Sequence, residues 1–350
     1  MNEIRPSKDA IEALVDSGLR NLWYPLVPSW QVGDRPIGIT RLGEDIAVWR
    51  DRDGTVHAIT DRCPHRGARL SLGWNLGDRL ACWYHGVEVG CDGRVQSVPA
   101  VDGCPMEGTQ GCHAYPVKEI RGAVFGYFGD AAHPEPVPLT LPEELSSEEW
   151  ASMLCTAVWN CNYRYAIDNV MDPMHGAYLH AQSHSMARGD KQAKMRVEKT
   201  ETGLIFEKED QRDVNFDRVE FGESGVQWLR LEIPYRKDAG PGGNFGIIGC
   251  AVPVDTTSCR VFFWRTRNVS GWQRDVWRFM YKNRLEGLHW DVLEQDRVVL
   301  EAMPRDARNR EYLYQHDTGL SRVRRILEKA AKQQLEDLAA AQSGKRAAAE

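Results

Sequence analysis

The first third of the chain alternates between apolar and polar residues over short stretches, a pattern typical of β-strands. Residues 46–50 and 55–59 flank an Asp-Gly dipeptide, and residues 87–89 and 94–98 flank a second one. Because Asp-Gly favours the positive φ angles of a tight turn, each pair of segments predicts a β-hairpin. Glycine and proline are frequent from 86 to 130, so this part of the chain predicts a small all-β domain.

The later part of the chain mixes strand and helix patterns. Apolar side chains recur at helical spacing through residues 273–303, and Pro304 is expected to end that helix. A final helix is predicted over residues 320–338. Five segments have the alternation of strands in an antiparallel sheet: 195–199, 204–208, 227–235, 245–252 and 260–268. The sequence therefore predicts an α+β fold, with an all-β domain followed by an antiparallel sheet and long helices.

A proline-rich stretch separates the two patterns. Residues 130–143 contain four prolines, which exclude a helix or a central strand and favour an extended linker. We therefore predict one domain over residues 1–131, including an N-terminal extension, and a second domain over residues 132–350.

Length and composition narrow the function classes. The chain has 350 residues, 42% of them hydrophobic and 27% charged, as expected for an ordinary globular protein with two domains. No apolar run approaches the length of a membrane-spanning helix, and the N-terminus has no secretory signal pattern, so we expect a cytoplasmic protein without a membrane partner. A net charge of −6 argues against nucleic-acid binding. The nine cysteines, an odd number, favour reduced thiols and a metal site over a disulfide framework.

Four of the possible metal ligands occur as a repeated pattern. Cys63 and His65 form C-x-H, and Cys82 and His85 form C-x2-H sixteen residues later, each between predicted strands. Structural zinc is one occupant of such a set. Zinc sites more often open with two cysteines, whereas one Cys and one His from each loop suit a Rieske [2Fe–2S] cluster, in which two cysteines bind one iron and two histidines the other. The pattern favours the cluster, which passes single electrons and needs a second site to act on a substrate.

A second histidine pair follows the proline-rich stretch. His175 and His180 are five residues apart, so on a regular helix they diverge by about 140°. Both can reach one metal only if the helix is distorted or ends between them, which Gly176 permits. Alone, this spacing is a weak signal, and two ordinary histidines explain it as well.

One carboxylate in the long predicted helix strengthens the second site. Asp296 shares the apolar stripe of that helix, where an unpaired charge is expensive. Two imidazoles and one carboxylate form the facial triad of oxygen-activating Fe(II) enzymes. A buried salt bridge to Arg164 or Arg265 is the alternative for Asp296, and Glu294 and Asp291 are the fallback ligands.

Both constellations resemble one known family. C-P-H-R-G at 63–67 and C-x-Y-H-G at 82–86 look like the Rieske loops of non-haem iron oxygenases, and residues 169–180 match the N-x2-D-x2-H-x4-H segment of their α subunits. Asp296 matches the later carboxylate ligand of the family. The resemblance covers residues 22–300 and points to the branch built from α subunits alone. It implies an N-terminal Rieske domain followed by a helix-grip, START-like catalytic domain.

The resemblance also implies roles for individual residues. The ligands are Cys63, His65, Cys82 and His85 for the [2Fe–2S] cluster and His175, His180 and Asp296 for a mononuclear Fe(II). Asn169 and Asp172 complete the motif and are implied to act in catalysis. In the head-to-tail homotrimer of the family, Asp172 bridges His85 of one subunit to His175 of the next. Asp172 before Pro173 also has the pattern of a helix N-cap, a role compatible with the bridge.

The implied function is that of a terminal oxygenase component, a Rieske-type mono- or dioxygenase that hydroxylates or oxidatively O-demethylates a small aromatic compound with O2. The chain has no G-x-G-x-x-G after a strand, so the electrons are expected from NAD(P)H through a separate reductase, with or without a ferredoxin. Arg66 and Arg69 either dock an acidic ferredoxin or are ordinary solvated charges. The alternatives are an N-demethylase or quaternary-amine monooxygenase of the same family, a Rieske electron carrier without oxygenase activity, and a zinc-stabilised ligand-binding protein.

Overall fold

The computed structural model describes residues 5–182, 189–211, 214, 216–234 and 244–349, and the chain forms two compact units. The first unit comprises Arg20–Val137 and Pro253–Asp255, and the second contains the rest of the described chain. The sequence-based domain limits at residues 131 and 132 stay a prediction. None of the helices in the described ranges is long and apolar enough to cross a membrane.

The first unit is built from ten short strands in three sheets. The strands are β1 (Trp23–Pro28), β2 (Ile37–Arg41), β3 (Glu44–Arg50), β4 (Val56–Thr60), β5 (Trp74–Asn75), β6 (Arg79–Ala81), β7 (Glu88–Gly90), β8 (Val95–Ser97), β9 (Val117–Ile120) and β10 (Ala123–Tyr127). They pair in the orders β1-β10-β9, β2-β3-β4 and β5-β6-β7-β8. Both predicted hairpins are confirmed, as β3–β4 and β7–β8.

The core of the first unit lies between the last two of these sheets. Ile59, Leu80 and Val89 are fully buried there, because alternate side chains of their strands face inward. Trp49 is fully buried beside them and donates its indole N–H to the Gly77 carbonyl oxygen at 2.8 Å, which fixes the turn before β6. This apolar base supports the two loops that carry the cysteine and histidine pairs.

The second unit contains a seven-stranded sheet. Its strands are β11 (Trp150–Trp159), β12 (Met195–Lys199), β13 (Gly203–Lys208), β14 (Arg218–Glu223), β15 (Gln227–Pro234), β16 (Asn244–Pro253) and β17 (Cys259–Asn268), in the order β11-β17-β16-β15-β14-β13-β12. The five predicted strands are confirmed, although residue 235 of the third lies outside the described residues. β11 and β14 were not predicted. β11 lacks a clean apolar alternation, and the short, charged β14 is stabilised by its neighbours on both sides.

Seven α-helices complete the described part of the second unit. They are α1 (Lys8–Ser17), α2 (Glu143–Ser146), α3 (Tyr163–Val170), α4 (Gly176–Leu179), α5 (Gly271–Met280), α6 (Glu286–Ala302) and α7 (Thr318–Ala349). The predicted long helix is confirmed as α5 and α6, joined by a π-helical segment at Tyr281–Leu285. It ends before Pro304, because the residue that precedes a proline disfavours the helical conformation. The α+β fold class is therefore confirmed.

Ion pairs hold α3 in place. Asp168 accepts hydrogen bonds from Arg308 at 2.6 Å and from Arg324 at 2.7 Å, which joins α3 to α7. Arg164 on the same helix donates to Glu12 of α1 at 2.6 Å. These contacts tie α3 to α1 on one side and to α7 on the other, and so define one position for α3. The sequence did not predict that α1 belongs with the second unit.

Candidate metal centres and active site

Two loops of the first unit share one backbone geometry. Cys63 and Gly67 close the loop between β4 and β5, and Cys82 and Gly86 close the loop between β6 and β7. In each loop the glycine N–H donates to the cysteine carbonyl oxygen at 2.8 Å. The φ angles of the two glycines are +79° and +72°, a left-handed conformation that favours glycine over every other residue. The glycines that follow the histidines in both motifs are therefore needed to close the turns.

The cysteines and histidines of these loops differ in exposure. Cys63 and Cys82 are 2% and 1% exposed and belong to the apolar core, whereas His65 and His85 are exposed. The two imidazole rings have centroids 4.8 Å apart. Burial raises the pKa of the Cys63 thiol, so a thiolate at this position requires a bound cation.

The geometry of the loops favours a two-iron cluster over zinc. A tetrahedral zinc ion, with bonds of 2.0–2.3 Å, needs ligand atoms within about 4 Å of one another. Among the described residues, the group of three whose ligand atoms converge, all within 4.8 Å of one another, lies in the second unit and contains none of the four loop residues. A [2Fe–2S] cluster separates its cysteine pair from its histidine pair, which fits these loops.

The three residues that do converge are His175, His180 and Asp296 of the second unit. His175 precedes the single turn of α4 and His180 follows it, so the helix ends between them as the spacing required. Their Nε2 atoms lie 3.5 and 3.2 Å from the same oxygen, Oδ1 of Asp296. The His180 ring is fully buried, and its Nε2 has no hydrogen-bond partner among the described residues. A buried, unpartnered nitrogen beside a carboxylate is the environment that a metal ion completes.

Hydrogen bonds on the far side of each ring fix the tautomer. His175 Nδ1 lies 2.6 Å from the backbone oxygen of Asp172, and His180 Nδ1 lies 2.8 Å from Oε1 of Gln295. Because both partners are acceptors, each Nδ1 carries the proton and each Nε2 keeps its lone pair for a metal. Asn169 donates to Oδ1 of Asp296 at 3.2 Å and so orients the carboxylate. Gln295 was not predicted as a site residue; its one signal was the position beside Asp296.

Electrostatics separate the two histidines. Burial lowers the pKa of His175, so its imidazole stays neutral. Burial also opposes protonation of His180, but Asp296 and Gln295 outweigh burial and raise its pKa. Metal binding requires the neutral form of both rings.

Gly176 has a packing role as well as a backbone role. A Cβ at Gly176 would lie 2.3 Å from the ring of Phe216, which contacts the His175 ring at a centroid distance of 5.3 Å. A side chain at this position would therefore displace the ring that positions His175. Phe216 was not predicted from the sequence, since nothing in its local pattern places it beside the histidines.

The alternatives for the second site have other partners. Arg164 pairs with Glu12 instead of Asp296. Glu294 is exposed and accepts a hydrogen bond from Arg297 at 2.8 Å, which leaves it outside the histidine cluster. Asp172 is not the N-cap of a helix that begins at Pro173, because α4 begins at Gly176; its Oδ1 accepts the Met174 N–H at 2.8 Å in a turn.

A cavity of about 1090 Å³ opens beside the histidine cluster. His175, His180 and Asp296 form part of its wall, and most of the remaining lining is apolar. The apolar lining from the sheet and from α5 and α6 includes Leu231, Phe245, Ile247, Phe263, Trp277 and Leu293. A pocket of this volume and lining suits a small aromatic molecule.

Two protein families match the chain, one for each unit. The Rieske [2Fe-2S] domain matches residues 22–116, and the vanillate O-demethylase oxygenase C-terminal domain matches residues 159–333. The class defined by the fold and the two sites is thus a protein with a Rieske domain and an iron-binding catalytic domain. The chain belongs to the Rieske oxygenase family, whose cofactors are a [2Fe–2S] cluster and a mononuclear iron.

Individual relatives are similar over part or all of the chain. The vanillate O-demethylase oxygenase subunit of Pseudomonas sp. (strain HR199 / DSM 7063) is 36% identical over 164 residues, 47% of this chain and 46% of the relative. The chain thus aligns with about half the length of the curated relatives it matches. The terminal oxygenase of carbazole 1,9a-dioxygenase from Nocardioides aromaticivorans IC177 shares the fold, with a TM-score of 0.74 and 22% identity over 94% of this chain and 97% of that chain. A reduced complex between oxygenase and ferredoxin in carbazole 1,9a-dioxygenase gives a TM-score of 0.73 at 22% identity, over 92% and 90% of the two chains.

The substitution Asp296→Ala tests the second metal site. We expect the variant to lose one iron per chain, with affinity reduced about 100-fold, because the carboxylate on which both Nε2 atoms converge is gone. The visible absorption of the cluster should be unchanged. Glu294→Gln, on the same helix but exposed, is the matched control and should keep all its iron. Unchanged iron content in Asp296→Ala would remove this residue from the ligand set.

The substitution Gly176→Ala tests the packing behind His175. We expect a loss of about 1–3 kcal/mol in unfolding free energy and weaker iron binding, because the new Cβ displaces Phe216. Gly287→Ala in α6 is the control, since a Cβ there meets no atom within 4 Å and alanine favours the helix. Thermal unfolding and iron titration measure both effects. Equal behaviour of the two variants would contradict the packing role.

Proposed function

We propose that this protein is the terminal oxygenase component of a multicomponent, NAD(P)H-dependent Rieske oxygenase that hydroxylates or oxidatively O-demethylates a small aromatic compound. The observation that carries the proposal is the convergence of two histidine Nε2 atoms and one carboxylate in the wall of a large apolar cavity. The likeness to a vanillate O-demethylase oxygenase subunit also favours O-demethylation.

In the second unit, some residues would bind the metal and others would bind the substrate. A ferrous ion held by His175, His180 and Asp296 supplies the dioxygen chemistry of a facial-triad site. Asp172 and Gln295 accept the Nδ1 protons and keep both rings in the orientation that binds metal. The apolar walls receive an aromatic ring and exclude water, which protects the reactive site from competing proton and electron transfer. Neither an electron carrier nor a zinc-stabilised binding protein requires two histidines and a carboxylate beside an apolar cavity.

The proposal includes a separate electron donor, a reductase with or without a ferredoxin. An exposed positive charge beside the cluster loops supports a docking site there. Arg66 is exposed, and its guanidinium carbon lies 5.5 Å from the ring centroid of Tyr84. Arg69 contributes less charge, because it pairs with Asp45 at 3.1 Å. The oxygenase of similar fold that is solved with a ferredoxin favours a ferredoxin over direct reduction.

The proposal also includes a head-to-tail homotrimer in which the cluster of one subunit serves the iron of the next. Asp172 is the proposed bridge. Its backbone oxygen contacts His175 Nδ1 at 2.6 Å, while its side chain is 37% exposed and available to a second copy of the chain. His85 is also exposed, as a bridging partner must be. Asp172 would then link the two rings, with its backbone oxygen on His175 and its carboxylate on His85 of the next subunit, and would fix both rings across the subunit boundary.

Oxygen consumption with a substrate panel tests the proposed activity. We expect NADH-dependent O2 uptake, with a surrogate reductase and ferredoxin, to rise in the presence of one or more methoxylated or unsubstituted aromatic compounds. Formaldehyde release would identify O-demethylation, and a phenolic or diol product would identify hydroxylation. Amine products from N-methyl compounds would instead favour N-demethylation. Reduction of the cluster without any substrate-dependent O2 uptake across the panel would contradict the oxygenase activity.

The substitution Asp172→Asn tests the electron bridge. We expect both metals to stay bound and substrate-coupled O2 uptake to fall at least about 10-fold, because the side chain no longer offers a carboxylate to the His85 N–H of the next subunit. Asp306→Asn is the control, since Asp306 pairs with the exposed Arg310 away from the histidines. Iron content, sedimentation and turnover should be measured together. Normal turnover in an intact trimer would remove Asp172 from the electron path.

A further inference from the structure

Arg265 is a buried cation in the wall of the catalytic cavity. It lies in the middle of β17, is 3% exposed and lines the same cavity as the histidine cluster. Its guanidinium carbon lies 5.6 Å from the ring centroid of Phe263, which lines the cavity two residues earlier on the strand. Because arginine stays protonated in proteins, this position places a permanent positive charge in a largely apolar environment.

Arg265 differs from Arg164, which is also buried in the second unit, in having no anionic partner among the described residues. Arg164 and Arg308 each pair with a carboxylate within 2.6 Å. No carboxylate of the described residues lies within ion-pair distance of Arg265, and its Nε has no hydrogen-bond partner there. Glu286, which lies in the same neighbourhood, is paired with Lys282 at 3.2 Å. A buried arginine without a counter-charge is expensive, so its charge is expected to meet an anion from outside the chain.

The groups beside Arg265 are neutral. It interacts with the Tyr281 hydroxyl and the Cys155 thiol, and burial raises the pKa of both groups, so neither supplies a negative charge. His289 of α6 also lines the cavity, and its buried Nδ1 has no partner among the described residues. Burial and the charge of Arg265 lower the pKa of His289 to about 3, which leaves a neutral imidazole able to donate one N–H.

Aromatic side chains lie beside these polar groups in the cavity wall. The His289 ring contacts the Phe245 ring at a centroid distance of 4.5 Å and the Tyr281 ring at 5.5 Å. Phe245 and Phe263 line the cavity from the sheet and are apolar, whereas Arg265 and His289 in the same wall are polar. The cavity therefore offers apolar walls for a ring and one cationic point for an anionic substituent.

We propose that Arg265 binds the carboxylate of the substrate and that the substrate class is a small aromatic acid. This inference rests on the proposed oxygenase function and names its substrate class. The planar guanidinium matches a carboxylate with two parallel hydrogen bonds. A neutral analogue leaves the buried charge unpaired and is rejected, because a site built to bind a polar group discriminates against ligands that lack it.

Matched ligand pairs test this specificity on the holoenzyme. The probes are the three methoxybenzoates and the corresponding methoxybenzamides, titrated by calorimetry and assayed for O2 uptake. We expect at least one acid to bind about 10-fold or more tightly than its amide, the difference typical of a hydrogen-bonded charge. Equal or tighter binding of every amide would overturn the proposal.

Variants at Arg265 separate binding from structure. Arg265→Gln should weaken binding of the preferred acid about 10-fold or more, change amide binding less than about two-fold, and leave the melting temperature unchanged or higher, because an unpaired buried charge is removed. Arg265→Lys should keep part of the acid preference. Equal weakening of acid and amide, or a lower melting temperature with the acid preference retained, would assign Arg265 a structural role. If Arg265→Gln does not fold, an undiminished acid preference in Arg265→Lys together with binding independent of salt would also overturn the proposal.

The two levels of the proposal fail separately. O2 uptake driven by neutral ethers but by none of the acids would leave the oxygenase function standing and overturn the role of Arg265. Benzoate binding that depends on Arg265 without any O2 uptake would support the anion site and contradict the oxygenase function.

Discussion

The second unit depends on one buried arrangement, in which the unprotonated Nε2 atoms of His175 and His180 face a single carboxylate oxygen of Asp296. Asp172 and Gln295 hold the opposite ring nitrogens, so neither ring can turn to satisfy its Nε2 within the protein. The His180 nitrogen stays unpartnered in the described structure, although its side chain is fully buried. Such an arrangement is unfavourable on its own, and a bound cation removes the penalty. Metal binding is therefore expected to stabilise this unit as well as equip it for chemistry.

The surrounding fold brings this arrangement together from distant parts of the sequence. α3 is fixed by Asp168 and its arginine partners, and it delivers Asn169 to the carboxylate. The single turn of α4 separates the histidines, and Gly176 leaves room for the ring that packs on His175. α6 supplies both the carboxylate and the amide beside it. The same helix and the sheet form the apolar cavity, so substrate and metal sites are built from shared elements.

The sequence predicted those features that depend on local pattern. Asp-Gly turns identified two hairpins and apolar spacing identified the long helix, and residue types at fixed spacing predicted both pairs of histidine-containing metal motifs. Features that depend on tertiary contact were missed. β14 is short and charged and is held by its neighbours, Phe216 reaches the histidines only through the fold, and α1 packs in the second unit. The sequence indicated Arg265 only as an alternative salt-bridge partner of Asp296, because the position of Arg265 in the cavity wall depends on the fold.

Two metal centres of different chemistry in one chain explain why it needs both units. The first unit holds buried cysteines and exposed histidines suited to electron transfer, and the second holds a pocket suited to substrate oxidation. The most direct test is the metal content of the purified protein combined with Mössbauer spectroscopy. The account predicts three irons per chain, two as a cluster with inequivalent sites and one as a separate high-spin ferrous ion. Two irons per chain, or zinc at either site, would contradict it.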